Sequence, residues 1–186
     1  MSSNQTDIYL LRHGLPQGDK CLRGQTDFAI TEQGFAQMKN ATAGLQVSRV
    51  ISSPLSRCAT FAKEYAESHA IPIMLDNNFS EMDFGQWDGQ TFESLFNNEN
   101  VLQFFQTPYS VTPPNGEHMI DFNQRVQTAF KRLCFDAENE TILLVTHAGV
   151  MREIMHLVLG LKENDARLHQ TVKLSYASLL LSLIHI

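Results

Sequence analysis

Two segments of the sequence share the pattern that most constrains the fold, an apolar run that ends in a histidine followed by a small residue. They are DIYLLRHG (7–14) and TILLVTHAG (141–149). Short apolar runs of this kind are typical of strands that helices cover on both faces of a parallel sheet. Because ligands of such sheets bind beyond the carboxyl ends of the strands, we expect His13 and His147 to meet at one rim.

Strand-like and helical patterns alternate through the rest of the chain. Further strand-like segments are SRVISS (48–53), PIMLD (72–76) and SYASLLLSLIHI (175–186). Apolar residues recur at helical spacing in ITEQGFAQMKNATAGL (30–45), SPLSRCATFAKEYAESHA (53–70), EHMIDFNQRVQTAFKRL (117–133) and AGVMREIMHLVLG (148–160). The alternation predicts an α/β protein, a three-layer α/β/α sandwich with a mainly parallel sheet covered on both faces. The length of 186 residues favours a single domain over 1–186.

Two helix starts and one long connection can be placed from local residue types. Thr31 is expected to cap the first helix, and Ser53 with Pro54 is expected to begin the second, which puts Arg57 in its first turn. The segment 77–115 is long and poorly periodic, so we expect it to contain short helices and to have a functional role.

Composition limits the partners and the location. The net charge of −6 and the pI near 5.6 argue against nucleic-acid binding and against binding to anionic membranes. The chain has three cysteines, an odd number without C-x-x-C spacing: Cys21, Cys58 and Cys134. This indicates free thiols in a reducing compartment. We find neither a secretory signal nor an apolar run of the ~20 residues that a membrane helix needs. The expected location is cytoplasmic.

The rim that should hold both histidines also receives two arginines. Arg12 precedes His13, and Arg57 follows the strand-like segment 48–53. Guanidinium groups beside helix N-termini form a pocket for an anion, and a phosphoryl group on a small metabolite is the preferred guest. The sequence contains no Walker-type glycine loop, no aspartate cluster for Mg²⁺ and no Cys-x5-Arg motif. We therefore expect no metal and no cofactor, with histidine as the nucleophile.

At this point the sequence resembles the histidine phosphatase superfamily, the phosphoglycerate-mutase-like proteins. The resemblance rests on six stretches in the family's order: LRHG, GQTDFAITEQG, SSPLSRCATFA, SEMDFGQWDG, NGEHMIDFNQRV and VTHAGVMR. It implies a phosphomonoesterase in which His13 becomes phosphorylated while Arg12, Arg57 and His147 hold the phosphoryl oxygens. It also implies that Glu81 protonates the leaving oxygen. The same resemblance assigns positions around the phosphate or substrate to Arg23, Gly24 and the backbone of Ala148.

Several alternatives remain open at this stage. Asp83 and Asp88 are rival acids near Glu81. After the R-H-G triplet the family commonly has Glu and then Ser or Thr, whereas this chain has Leu15 and Pro16 in a shorter loop, which leaves open what replaces one contact to the phosphate. Within the superfamily the chain is most similar to the α-ribazole phosphatases. The competing functions are a phosphoglycerate mutase, a broad small-molecule phosphatase and an inactive module that binds a phosphorylated ligand.

Overall fold

The computed structural model describes residues 5–162 and 164–185, and its centre is one five-stranded sheet. The strands are β1 (Gln5–Arg12), β2 (Arg49–Ser52), β3 (Ile73–Leu75), β4 (Thr141–Thr146) and β5 (Leu179–His185). They lie in the order β3-β2-β4-β1-β5. The first four are parallel and β5 is antiparallel to β1, which confirms the mainly parallel sheet. Ile186, the last residue of the predicted terminal strand, lies outside the described residues.

The register of the sheet brings three strand ends to one rim. Arg12 pairs with Thr146 across β1 and β4, and Ser52 pairs with Val145 across β2 and β4. The hydrogen bonding between the two segments continues one residue beyond β1, because the N–H of His13 donates to the carbonyl oxygen of Thr146 at 2.9 Å. The expected meeting of His13 and His147 at the carboxyl ends of parallel strands is therefore confirmed.

Seven α-helices accompany the sheet in the described part of the chain. They are α1 (Glu32–Ala41), α2 (Ser56–Ser68), α3 (Phe92–Leu95), α4 (Glu99–Gln106), α5 (Met119–Asp136), α6 (Ala148–Val158) and α7 (Arg167–Thr171). Apolar side chains of α1 and α2, such as Met38 and Phe61, pack on one face of the sheet. Those of α5 and α6, such as Phe122 and Ile154, pack on the other. This confirms the three-layer α/β/α sandwich.

Of the two predicted helix starts, one is confirmed and one is wrong. Thr31 caps α1, and its hydroxyl accepts from the N–H of Gly34 at 2.9 Å. The helix α2 begins at Ser56 instead of Pro54, with Leu55 as the capping residue. The backbone of Leu55 is extended, so the helix cannot begin before it; the hydroxyl of Ser53 accepts from the N–H of Leu55 at 3.3 Å and also lies 2.8 Å from Nε2 of His147. Arg57 is nevertheless in the first turn, as predicted.

The segment 77–115 contains short helices, as expected. Besides α3 and α4 it has single 3-10 turns at Asn77–Phe79 and Gly85–Trp87. Trp87 is buried and packs edge-to-face on Phe104, with ring centroids 5.7 Å apart, so it serves the core. The three cysteines are free thiols. Over residues 5–162 and 164–185, none of the helices combines the length and the apolar character needed to cross a membrane.

Candidate active site

A cavity of about 500 Å³ opens at the rim where β1 and β4 end. Its inner end consists of charged and imidazole groups, which we call the cationic floor: Arg12, His13, Glu81 and Arg152 on the surface of the cavity, with Arg57 and His147 buried directly behind. Another part of its surface is lined by phenylalanines, which we call the aromatic wall: Phe84, Phe92, Phe104, Phe105 and Phe122. The cavity thus joins an anion site to an apolar surface.

His13 is held in the form that a nucleophile requires. Its Nδ1–H donates to the carbonyl oxygen of Gly14 at 2.8 Å, since a carbonyl oxygen can only accept. Nε2 therefore carries the lone pair. Burial is the main cause that lowers the pKa of His13 well below its usual 6.5, and the charges of Arg12 and Arg57 lower it further. The imidazole is consequently neutral near pH 7.

Arg57 and His147 form a buried pair behind His13. The Nε–H of Arg57 donates to Nδ1 of His147 at 3.3 Å, and its two terminal nitrogens donate to the carbonyl oxygens of Gly24 and Thr26. The rings of His13 and His147 meet edge-to-face at 5.3 Å. Burial, followed by the charge of Arg57, lowers the pKa of His147 well below 6.5. Neither side chain is on the surface of the cavity, although both adjoin His13.

Arg12 presents positive charge that the protein does not neutralise. One terminal nitrogen donates to the carbonyl oxygen of Leu174, while the buried Nε has no partner among the described residues. The guanidinium lies over the ring of Tyr176, 4.4 Å from its centroid. Burial is the main cause that lowers the pKa of Arg12. An uncompensated buried cation of this kind favours an anionic ligand.

Another arginine on the cavity surface comes from α6. Arg152 lines the cavity, and its Nε and one terminal nitrogen donate to the carbonyl oxygen of Val172 at 3.1 and 2.9 Å. Burial lowers the pKa of Arg152, and the charge of Glu81 acts in the opposite direction. The charge of Glu81 thus acts on Arg12 and Arg152, while the charges of Arg12 and Arg57 act on His13.

Glu81 is positioned at the floor by two backbone groups. Its Oε1 accepts from the N–H of Met82 and its Oε2 accepts from the N–H of Gly149, both at 3.1 Å. A Cβ on Gly149 would lie 2.2 Å from Oε1, so only glycine permits this contact. The rival acids are both engaged elsewhere. Asp83 accepts from the N–H of Gly85 at 2.8 Å, and Asp88 accepts from three successive N–H groups of residues 24–26.

The loop that carries Glu81 is fixed by an ion pair that sequence reasoning missed. Arg125 of α5 forms two hydrogen bonds with the carboxylate of Glu117, at 2.6 and 3.0 Å. The same guanidinium donates to the carbonyl oxygens of Asn78, Ser80 and Glu81. Glu117 and Arg125 both belong to the stretch NGEHMIDFNQRV. Their ion pair explains why the site needs this stretch, because it holds the backbone beneath Glu81.

The remaining sequence-predicted residues occupy different places. Arg23 lines the cavity, stacks over Phe28 at 4.8 Å and donates to backbone carbonyl oxygens of its own loop. Ala148 also lines the cavity, at the start of α6. Gly24 is absent from the cavity surface. Its N–H donates to Asp88 and its carbonyl oxygen accepts from Arg57, so it fixes the loop beside Arg57.

The cavity residues that were not expected from the sequence include Arg152, Tyr176 and His169. Arg152 had a signal, because it lies four residues after Ala148 in a helix and so faces the same side. Tyr176 and His169 come from the segment after α6, where no motif of the sequence points to the site. In the part of the chain that the structure describes, no group of three or more His, Cys, Asp or Glu residues is arranged to hold a metal.

The fold and the floor define a class: an α/β protein with a neutral histidine, a second buried histidine and arginines around an anion site. Comparison with known proteins makes this more specific. A model of the histidine phosphatase superfamily (branch 1) matches residues 8–182, so the chain belongs to this superfamily.

Three individual relatives are each 30% identical to this chain or less. The chain is 30% identical over 161 residues to the bifunctional protein Rv2228c of Mycobacterium tuberculosis, covering 83% of this chain and 44% of that protein. It thus spans less than half of that relative's length. It is 27% identical over 161 residues to the adenosylcobalamin/alpha-ribazole phosphatase of Escherichia coli, covering 83% and 79%. The crystal structure of the alpha-ribazole phosphatase from Shigella flexneri has the same fold, with a TM-score of 0.82, 23% identity and coverage of 94% and 89%.

Proposed function

We propose that this protein is a phosphomonoesterase that works through a phosphohistidine at His13 and needs no metal or cofactor. The observation that carries the proposal is the state of His13: a neutral imidazole with Nδ1 bonded to Gly14, so that Nε2 is free among arginines. A neutral nitrogen lone pair beside an anion site is what attack on a phosphate ester requires. Membership of the histidine phosphatase superfamily supports it.

In the first step, Nε2 of His13 attacks phosphorus and the bond from phosphorus to the ester oxygen breaks. Glu81, in its protonated form, gives its proton to the departing alkoxide. Arg12 and the remaining N–H groups of Arg57 hold the phosphoryl oxygens as charge develops on them. His147 positions Arg57 through its Nδ1, and Arg152 adds a further source of positive charge. In the second step, water attacks phosphorus, Glu81 takes the water's proton, and the P–N bond breaks to release phosphate and His13.

We propose α-ribazole 5'-phosphate, an intermediate in the assembly of the cobalamin lower loop, as the physiological substrate. Two observations support this choice. The E. coli relative and the S. flexneri structure carry that activity in their names. The cavity pairs a phosphate-sized cationic end with the aromatic wall, which suits a phosphate ester that has a heteroaromatic ring. The acidic chain and its free thiols fit a cytoplasmic enzyme that acts on a small phosphorylated metabolite.

The test is phosphate release, measured in the presence of a chelator, from α-ribazole 5'-phosphate, 3-phosphoglycerate, p-nitrophenyl phosphate and a phosphohistidine peptide. Dominant activity on α-ribazole 5'-phosphate supports both proposals. Phosphate release at similar rates from many esters indicates a broad phosphatase. Isomerisation of 3-phosphoglycerate indicates a mutase, and binding without turnover indicates an inactive module.

His13→Ala is the matched variant. It should reduce kcat/KM for every ester by at least roughly 10³-fold, because the attacking atom is lost. Rapid quenching of the wild type should trap an acid-labile, base-stable phosphoenzyme that His13→Ala does not form. Normal turnover by the variant would overturn the mechanism.

A further inference from the structure

A hydrogen-bonded pair at the side of the cavity plays no part in the proposed chemistry. Glu153, on α6, is fully buried, and its Oε1 accepts from Nε2–H of His169 at 2.6 Å. Its other oxygen accepts from the side-chain amide of Asn123. A buried carboxylate is costly unless its oxygens are satisfied, and here each oxygen has a donor. Glu153 is thus a fixed anchor for the imidazole of His169.

The anchor determines what His169 offers to the cavity. Because Nε2 is committed to Glu153, Nδ1 is the remaining ring nitrogen, and it has no hydrogen-bond partner among residues 5–162 and 164–185. The ring lines the cavity with 14% of its side chain exposed. A neutral imidazole accepts a hydrogen bond at this nitrogen, and an imidazolium donates one. Nδ1 is therefore a polar atom available to a ligand.

The segment that carries His169 is held in place from two sides. Arg152 of α6 donates twice to the carbonyl oxygen of Val172, just after α7. Gln170 of α7 donates through its side-chain amide to the carbonyl oxygen of Gln106, at the end of α4, at 2.6 Å. These contacts, together with the bond to Glu153, fix the direction of the imidazole before any ligand binds.

We propose that His169 is a specificity-determining residue whose Nδ1 hydrogen-bonds to an oxygen of the leaving alcohol, and that Glu153 positions it. The inference rests on the proposed function, because it places the phosphate at the cationic floor and the alcohol beside the aromatic wall and His169. The ligand class is a phosphate ester whose alcohol carries either a further hydroxyl, which donates to Nδ1 of the neutral imidazole, or a carboxylate, which accepts from Nδ1–H of the imidazolium. The two sources of that oxygen are represented by ribose 5-phosphate and 3-phosphoglycerate.

Two substitutions separate recognition from structure. In His169→Gln, the side-chain amide reaches the place of Nε2, so it keeps a donor for Glu153 and removes the polar atom at Nδ1. In His169→Asn, the amide reaches the place of Nδ1 and the bond to Glu153 is lost. A purely structural role predicts that Gln preserves the wild-type behaviour and Asn does not. A recognition role predicts that the Gln variant folds normally and loses discrimination.

The experiment compares kcat/KM for ribose 5-phosphate, 3-phosphoglycerate and phenyl phosphate, whose alcohol has no further oxygen. For His169→Gln we expect about a tenfold loss on ribose 5-phosphate, on 3-phosphoglycerate or on both, with phenyl phosphate changed by less than about twofold. The substrate that loses most identifies the oxygen as hydroxyl or carboxylate. Glu153→Gln should raise KM for that substrate and leave kcat for phenyl phosphate unchanged. Equal losses on all three esters, or none, overturn the proposal.

Calorimetry separates a failure of this proposal from a failure of the proposed function. The affinities for ribose 5-phosphate, 3-phosphoglycerate and inorganic phosphate are measured in the His13→Ala background, in which the esters are not turned over. His169→Gln should weaken binding of at least one of the two esters by about tenfold and leave inorganic phosphate unchanged. If the wild type hydrolyses no ester and His169→Gln still weakens binding in this way, the proposed function is wrong and the role of His169 in recognition stands. Unchanged binding of both esters overturns the role of His169.

Discussion

The cationic floor and the aromatic wall belong to one cavity and are built in different ways. Most residues of the floor lie at the ends of the central strands β1 and β4 or on the helices α2 and α6, Glu81 lies on the loop after the Asn77–Phe79 turn, and His13 is only 4% exposed. The wall comes largely from α3, α4 and the turns before them, and Phe105 remains 43% exposed. The nucleophile is thus fixed at the end of a central strand, whereas the surface for the alcohol depends largely on short helices.

The two regions also differ in electrostatics. Burial and neighbouring arginines lower the pKa of His13 and of His147, which keeps both imidazoles neutral beside charged guanidinium groups. The wall has phenylalanine rings and acts through apolar contact. Changes to the floor should therefore affect every ester, and changes to the wall should affect only esters with large alcohols. The following predictions test that division, beginning with the largest effect.

Arg57→Met tests whether the floor acts on all substrates alike. Methionine removes the charge and the donors to His147, Gly24 and Thr26. We expect kcat/KM to fall by roughly 10² to 10⁴-fold for every ester, because hydrogen bonds from a charged group to the transferring phosphoryl are lost. Steady-state kinetics on phenyl phosphate and ribose 5-phosphate measure the loss. Arg57→Lys should retain more activity than Arg57→Met and less than the wild type. A loss confined to one ester would contradict the expectation that the floor acts on all esters alike.

Gly149→Ala displaces Glu81 without altering its chemistry, since the new Cβ would lie 2.2 Å from Oε1. A misplaced general acid should reduce kcat for alkyl phosphates by about 10²-fold. p-Nitrophenyl phosphate should be much less affected, because its leaving group needs little protonation. Glu81→Gln is the matched variant and should show the same substrate dependence. Equal losses on both kinds of ester would assign Glu81 a role other than proton transfer.

Low pH should destabilise the floor through its two neutral histidines. In the unfolded chain each takes up a proton near its usual pKa of 6.5, whereas the folded pKa lies well below that value. The unfolded state then binds more protons, so stability is complete above pH 6.5 and decreases as the pH falls below it. The free energy of unfolding should decrease by up to about 1.4 kcal/mol per pH unit for each histidine.

Urea titrations at several values of pH between 7.5 and 5 measure this decrease. The matched variant is His147→Gln, which keeps a polar side chain and removes one titrating group. Its free energy of unfolding should depend less steeply on pH than that of the wild type. An identical slope in the two proteins would show that His147 is not held neutral.

Phe105→Ala should have the smallest effect, limited to large alcohols. Phe105 lines the cavity and is partly exposed, so truncation removes apolar contact and leaves the floor intact. We expect roughly a fivefold lower kcat/KM for 1-naphthyl phosphate and little change for glycerol 3-phosphate. Phe135→Ala is the control, because Phe135 is 81% exposed and does not line the cavity. Equal losses on both esters would show that Phe105 supports the floor.

Particular residues show how far the sequence alone could predict this site. His13 and His147 could be placed together because each follows an apolar run, and the order of parallel strands then brings them to one rim. The predicted start of α2 was two residues too early, since the backbone of Leu55 is extended and the helix begins only at Ser56. Tyr176 under Arg12 could not be predicted, because the two residues are far apart in the sequence and meet only when β5 pairs with β1.

The sequence by itself determined the layered α/β fold, the rim that holds both histidines and the arginines beside them, because apolar periodicity and strand order depend on local residue types. Tertiary structure decided which nitrogen of His13 is free, which carboxylate faces the floor, and what lines the rest of the cavity. Those properties depend on contacts between distant segments: Gly149 against Glu81, Glu117 and Arg125 beneath residues 78–81, and His169 against Glu153. Burial is the main cause of the lowered pKa values of His13 and His147, and these side chains are buried only once the layers pack.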